Sequence, residues 1–361
     1  MSRPTQAFID IAALQNNLER VKTCAPTQCV MAVIKANAYG HGAILVANAI
    51  QSKVDAFAVC CLEEALELRE ADITTPIVLL EGSFQPDELS VIAHQDLQMV
   101  LHTPKQFEHL LKGQLSKPVN VWLKVDTGMH RLGFAPNEIE RIYKILQASS
   151  QVASPICLMS HLACADDRHD NTTKKQMDIF KRLTQSLNIK EASLANSAGI
   201  LGWPQTHADW VRPGIMLYGA SPFVDSIAND EGLQPVMHLQ STLISIKRHR
   251  KGEAIGYGAT WRCPQTMPVG VVAIGYADGY PRHAPTGTPV LVNGKRVPLV
   301  GRVSMDMITV DLRSQPNARI GDPVVLWGKN LPVEEIANLA GTIAYELLCH
   351  VSSRVKLITN N

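Results

Sequence analysis

The chain is predicted to be an α/β protein, an N-terminal (β/α)8 barrel followed by a C-terminal, mainly antiparallel β domain. Three observations carry this. Over the first two thirds, about eight short apolar runs alternate with amphipathic segments. Beyond Ser221 that rhythm stops, and shorter β-like runs between turn residues replace it. At 361 residues the chain also exceeds the usual single core. The expected domains are residues 1–232 and 233–361.

The apolar runs are, in order, "CVMAVIKANA", "AFAVC", "PIVLL", "LQMVLH", "VNVWLKVDT", "CLMSHLA", "ASLANS" and "WVRPGIMLYG". Continuous apolar strands suit a parallel sheet covered on both faces. Between them lie helix-patterned stretches such as "GAILVANAIQS", "LEEALELREA" and "PNEIERIYKILQAS". An open doubly wound sheet is the competing arrangement, but its G-x-G-x-x-G turn is missing after the first strand. "SPFVDSIANDEGLQP" reads as a polar connector. The runs "MHLQSTLISIKRH", "GVVAIGYADGY", "PVLVNGKRVPLVG", "MITVDL" and "DPVVLWG" follow, and Asn293-Gly294 marks a hairpin turn.

Composition narrows the function. A net charge of +1, with 46% hydrophobic and 19% charged residues, describes an ordinary globular chain without a strong field. Neither nucleic acid nor a membrane is an expected partner. The basic run Lys247–Lys251 reads as a solvated hairpin or loop. No signal peptide is evident at the N-terminus, and no apolar run reaches the roughly 18 residues of a spanning helix. Eight scattered cysteines without a C-x-x-C pair suit reduced thiols in the cytoplasm, and no metal site is expected.

In such a barrel the chemistry gathers at the C-terminal ends of the strands. Lys35 is expected to end the first strand as a buried cation, which is costly unless paired, neutralised or chemically consumed. "KVDTGMHR" (Lys124 to Arg131) ends the fifth, His161 sits at the sixth, Asn196 and Ser197 at the seventh, and Arg212 at the eighth. One such residue is most often structural; five on one rim converge on one pocket. Ser197-Ala198-Gly199 and Pro213-Gly214-Ile215 are small-residue turns after strands seven and eight, where barrels often bind phosphate. A lysine facing a phosphate cradle suggests pyridoxal 5'-phosphate (PLP), whose aldehyde takes up a lysine amine as an imine.

The chain resembles the alanine racemase family. The resemblance rests on "AVIKANAYGHG", "LKVDTGMHRLGF", "SHLA", "ANSAG", "VRPGIMLYG", "GYGATW", "IGYADGYPR", "GRVSMDMITVD" and "YELLCHVSSRV", which follow one another in the family's order across nearly the whole chain. It implies a PLP-dependent isomerase interconverting L-alanine and D-alanine, working as a homodimer with shared active sites. Lys35 would carry the cofactor and act as one base, and Tyr257 from the partner subunit as the other. Arg212 would meet the pyridine nitrogen and His161 would support it. Tyr39, Ser197, Gly214, Ile215 and Tyr345 would hold the phosphate, with Asn196 in the same pocket. Arg131 and the partner subunit's Met305 would bind the substrate carboxylate, with Asp306 beside Met305. Tyr276 and Arg302 would line the access passage. Some family members carry a carbamylated lysine at the position of Lys124. A basic amino-acid decarboxylase of the same fold and a non-catalytic PLP carrier are the alternatives. Both the acid expected at the ring nitrogen of the first and the barrel-only form of the second fit this sequence less well.

Overall fold

The computed structural model describes residues 3–359. The chain opens with strand β1 (Gln6–Ile9), in which Ala7 and Ile9 are buried and Gln6 and Phe8 less so. A helix over Ile11–Cys24 follows, its first turn capped by Asp10, whose carboxylate accepts from the Ala13 N–H at 3.0 Å.

The barrel then forms from β2 (Cys29–Val33), β3 (Ala56–Val59), β4 (Ile77–Leu79), β5 (Leu97–Leu101), β6 (Asn120–Lys124), β7 (Cys157–Met159), β8 (Ala192–Ser193) and β9 (Trp210–Val211). All are parallel, and β9 returns to β2 with Trp210 opposite Cys29 and Val211 opposite Val30, which closes the sheet. Each expected run supplied one barrel strand. The reason is visible in β3 and β4, where every residue is buried, as a sheet packed on both faces demands.

The second body is a sheet of β10 (Met237–His249), β13 (Met267–Val272), β14 (Pro289–Val292), β15 (Lys295–Pro298), β16 (Ile308–Asp311), β17 (Pro323–Trp327) and β18 (Lys356–Thr359). A small pair, β11 (Ala254–Ile255) and β12 (Trp261–Arg262), stands apart from it. β14 and β15 meet at Asn293-Gly294, both at positive φ, as that dipeptide requires. The basic run Lys247–Lys251 lies at the open end of β10 and its turn, with Lys247, Arg248, Arg250 and Lys251 exposed.

Two features depart from the expected layout. β1 is not a barrel element: it pairs antiparallel with β10 and parallel with β18. The first strand of the chain is therefore stitched into the second sheet, which a division at residue 232 leaves out. The second body also carries two helices, Val333–Ala340 and Ala344–Cys349. The latter packs on the barrel rim. A side chain at Gly40 would collide with the Leu348 carbonyl oxygen, so only glycine admits this approach. Apolar residues of both bodies belong to one continuous core. Among the described residues no helix is long and apolar enough to cross a membrane. All eight cysteines are free thiols.

Candidate active site

The first barrel strand does not run into Lys35. It stops at Val33, and Lys35 begins a turn in which Ala36, Asn37, Ala38 and Tyr39 all adopt left-handed geometry, with φ of 51–53°. Lys35 is half-buried rather than buried. This corrects the sequence expectation: the apolar run ended in a turn of reversed hand, not in a strand. Such geometry costs roughly 1–2 kcal/mol per non-glycine residue, so other contacts must hold it. The His41 ring, fully buried, lies 2.9–3.0 Å from the carbonyl oxygens of Tyr39 and Ala38. The Asn37 side chain accepts from the Ala43 N–H at 2.8 Å, joining the turn to the helix Ala43–Ile50. Gly40 and Gly42, both at positive φ, complete the change of direction.

The turn opens onto a cavity of about 420 Å³ at the C-terminal ends of the strands. Lys35 and Tyr39 line it from the first strand, Lys124 and Arg131 from the fifth, and His161 from the sixth. Asn196 and Ser197 line it from the seventh, Arg212, Gly214 and Ile215 from the eighth, and Tyr345 from the second body. These eleven residues line one cavity, nine of them at the barrel positions where the strand ends meet, and Tyr39 and Tyr345 where the family resemblance places them.

Each is placed by local structure. Asn196 caps the short helix Ser197–Gly202, its side chain accepting from the Gly199 N–H at 3.0 Å. Ser197 Oγ accepts the Gly214 N–H at 2.9 Å, fastening the turns after strands seven and eight together. Tyr39 stacks on Tyr218 with ring centroids 4.8 Å apart, and the Tyr218 hydroxyl donates to the Val33 carbonyl at 2.8 Å. Arg212 is buried and donates to Ser193 Oγ at 2.5 Å and to the carbonyl oxygens of Ser160 at 2.6 Å and Leu194 at 3.2 Å. One guanidinium nitrogen stands 3.4 Å from His161 Nδ1.

The electrostatics are strongly biased. Lys35, Lys124, Arg131 and Arg212 face the cavity against a single carboxylate, Glu81. Desolvation, with the charges of Arg212, Arg131 and Lys35, pushes the Lys124 amine down to about 8. Burial lowers Arg212 to about 10, so it stays charged at neutral pH. Desolvation, joined by the Arg212, Lys124, Arg131 and Lys35 charges, holds His161 well below its ordinary value and therefore neutral. Burial pushes the Tyr39 and Tyr345 hydroxyls upward, so both remain protonated.

PLP fits this cavity. Four cations against one carboxylate suit a ligand carrying a phosphate. Gly214 leaves room where any side chain would intrude, since a Cβ there would lie 2.7 Å from the Tyr39 hydroxyl oxygen.

Five expected residues stand elsewhere. Tyr257, Tyr276, Arg302, Met305 and Asp306 do not line the cavity of their own chain. Tyr257 is 68% exposed and Met305 52%. They form one surface cluster on the second body. The Tyr276 N–H donates to the Ser304 carbonyl at 3.0 Å and the Ala277 N–H to that of Met305 at 2.9 Å. Arg302 lies beside Gly258, next in sequence to Tyr257. Asp306 is paired with Arg354 at 2.7 Å. Residues not foreseen also line the cavity, among them Leu80, Glu81, Met159 and Cys349. Glu81 follows the end of β4 and was open to the same rim argument that found the others.

Comparison with known proteins agrees with this layout. The family described as "Alanine racemase, N-terminal domain" matches residues 9–222, and "Alanine racemase, C-terminal domain" matches 236–359. Alanine racemase of Halorhodospira halophila is 51% identical over 356 residues, covering 99% of this chain and 98% of that protein. Alanine racemase of Coxiella burnetii is 49% identical over 363 residues, with 99% of each covered. Among solved structures, biosynthetic alanine racemase from Pseudomonas aeruginosa superposes with a TM-score of 0.97 at 47% identity, covering 99% of this chain and all of that one. Alanine racemase from Acinetobacter baumannii gives 0.93 at 40% identity, with the same coverage.

Proposed function

The chain belongs to the alanine racemase family, and from that premise we propose a two-base racemisation of alanine in a site shared between two copies of the chain. The enzyme interconverts L-alanine and D-alanine and uses PLP. One observation carries the two-base reading: the cavity gathers Lys35 with the residues expected to hold the cofactor, while Tyr257 lies exposed on the second body away from that cavity.

When bound, PLP supplies a carbonyl that condenses with amines and a conjugated ring that stabilises charge at the substrate Cα. The protein's own groups do the rest. Ser197, Gly214, Ile215, Tyr39 and Tyr345 would receive the phosphate. Arg212, fixed by three oxygen acceptors, would meet the ring nitrogen as a donor that does not surrender its proton. A ring nitrogen kept as an acceptor would supply only weak electron withdrawal, which favours return of the proton to Cα over its delivery to another carbon. Neutral His161 packs beside Arg212 and adds no charge. Arg131 would pair with the substrate carboxylate, helped by the backbone N–H of the partner subunit's Met305.

Racemisation needs a proton removed on one face of Cα and returned on the other. Lys35 Nζ serves one face. Tyr257 of the partner subunit serves the other through its phenolic oxygen, with Tyr276, Arg302 and Asp306 around the passage that leads there. The free thiols support a reducing compartment, the cytoplasm.

The test is a racemisation assay on purified protein across several L-amino acids, with bound PLP quantified in the same sample. Alanine turnover with an absorbance band at about 420 nm, both lost in Lys35→Ala, is the expected result. Release of CO2 from lysine, ornithine or arginine would instead indicate a decarboxylase.

A further inference from the structure

Among the described residues, one side chain from another element hydrogen-bonds the backbone of the left-handed turn after Lys35. Glu64 lies in the first turn of the helix Leu62–Glu70, on the loop that follows β3. Its Oε1 accepts the Ala36 N–H at 2.7 Å, and its Oε2 accepts the Cys60 N–H, also at 2.7 Å. A carboxylate often reaches back to cap its own helix, and the Cys60 bond is of that kind. The Ala36 bond is not. It crosses to the neighbouring rim loop and seizes the peptide that directly follows Lys35.

We propose that Glu64 is a positioning residue for Lys35, its carboxylate locking the left-handed turn 36–39 to the loop after the second barrel strand. This rests on the reading of Lys35 and Tyr39 as cofactor-holding residues.

The physical case is the strain. Four successive non-glycine residues sit at φ of 51–53°, and such strain persists only where surrounding structure over-determines it. The other side-chain hydrogen bonds on the turn, from Asn37 and His41, come from its own residues or the one after Gly40. The Tyr39 ring stacks on Tyr218 at the far end of the turn, and the Ile34 N–H donates to the Ala58 carbonyl at 2.9 Å just before its start. Glu64 adds the hydrogen bond that fixes the first peptide of the turn itself to the loop after the second barrel strand. The consequence reaches two cofactor contacts at once, because the same turn delivers Lys35 at its start and Tyr39 four residues later. Backbone slippage there would move the amine away from the position of the cofactor carbonyl and the hydroxyl away from the phosphate cradle. Displacements of about 1 Å at a reacting group can cost up to about a hundredfold in rate.

The experiment compares wild type, Glu64→Ala, Glu64→Gln and, as a control, Glu63→Ala, which is exposed on the same helix turn. PLP dissociation is measured by spectroscopic titration, kcat and KM are measured for L-alanine, and thermal midpoints are recorded for each. Glu64→Ala is expected to weaken PLP binding and lower kcat, each about tenfold, with KM for alanine changed less than about twofold. Glu64→Gln keeps the volume and one acceptor and is expected to fall between. Glu63→Ala is expected to match wild type. Should Glu64→Ala not fold, the isosteric Gln variant decides by the same readings. Glu64 variants that melt earlier, yet bind PLP and turn over like wild type while folded, overturn the proposal. Wild type that takes up no PLP overturns the reading of Lys35 and this inference with it.

Discussion

Gly214 faces Tyr39 so closely that a Cβ on Gly214 would lie 2.7 Å from the tyrosine hydroxyl oxygen. The two residues come from opposite ends of the barrel sequence, one after β9 and one after β2, and meet because those strands close the sheet. Gly214→Ala should therefore push Tyr39 out of the cradle. PLP affinity is expected to fall about tenfold or more, equivalent to about 1.4 kcal/mol. A change confined to the thermal midpoint would contradict this.

Arg212 offers a second test. Replacing it with alanine strips the Ser160 and Leu194 carbonyls and Ser193 Oγ of a charged donor inside the barrel. Bonds to charged groups are worth about 1.5–3 kcal/mol each and are not additive, so a loss of about 3 kcal/mol in denaturant unfolding is expected. The chemical role is separated by Arg212→Glu, which can share a proton with the ring nitrogen. Pyruvate formed per racemisation turnover should rise in that variant. An unchanged ratio would remove Arg212 from control of reaction type.

Lys124 makes a prediction about pH. Its amine is lowered to about 8 by desolvation and by neighbouring cations, against about 10.5 when unfolded. Between those values the unfolded chain holds the extra proton, so this residue makes unfolding harder as pH rises from about 8 to about 10.5. The full swing is about 3 kcal/mol. Lys124→Met should abolish that rise in cofactor-free protein, read as the difference between wild-type and variant stability curves. A carbamylated Lys124 would not titrate there, and intact mass on the same sample identifies it.

Much of the barrel and its rim was legible because the physics is local and repetitive. Runs such as "AFAV" are buried on both faces, and apolar content alone marks them. Strand ends then bring Lys124, His161, Asn196 and Arg212 to one place by closure. The geometry of Lys35 was not legible. A left-handed turn of Ala36, Asn37, Ala38 and Tyr39 contradicts the propensity of three of its residues and is held by the local His41 ring and by tertiary contacts with Glu64 and Tyr218. The place of β1 was hidden for a similar reason: its partners are Met237–Gln240 and Lys356–Thr359, more than 200 residues away. Tyr257 and Met305 came from family resemblance alone, since neither exposure nor partnership in a second site is written in local pattern.

The shared site is most directly tested by mixing subunits. Lys35→Ala and Tyr257→Phe proteins are each expected to be nearly inactive. Co-refolded or co-expressed in equal amounts, half of the dimers pair one variant with the other, and one of their two sites then holds both native bases. Racemase activity should return to about a quarter of wild type. If the mixture stays at the level of the separate variants, Lys35 and Tyr257 act within one chain, and the two-subunit account is wrong.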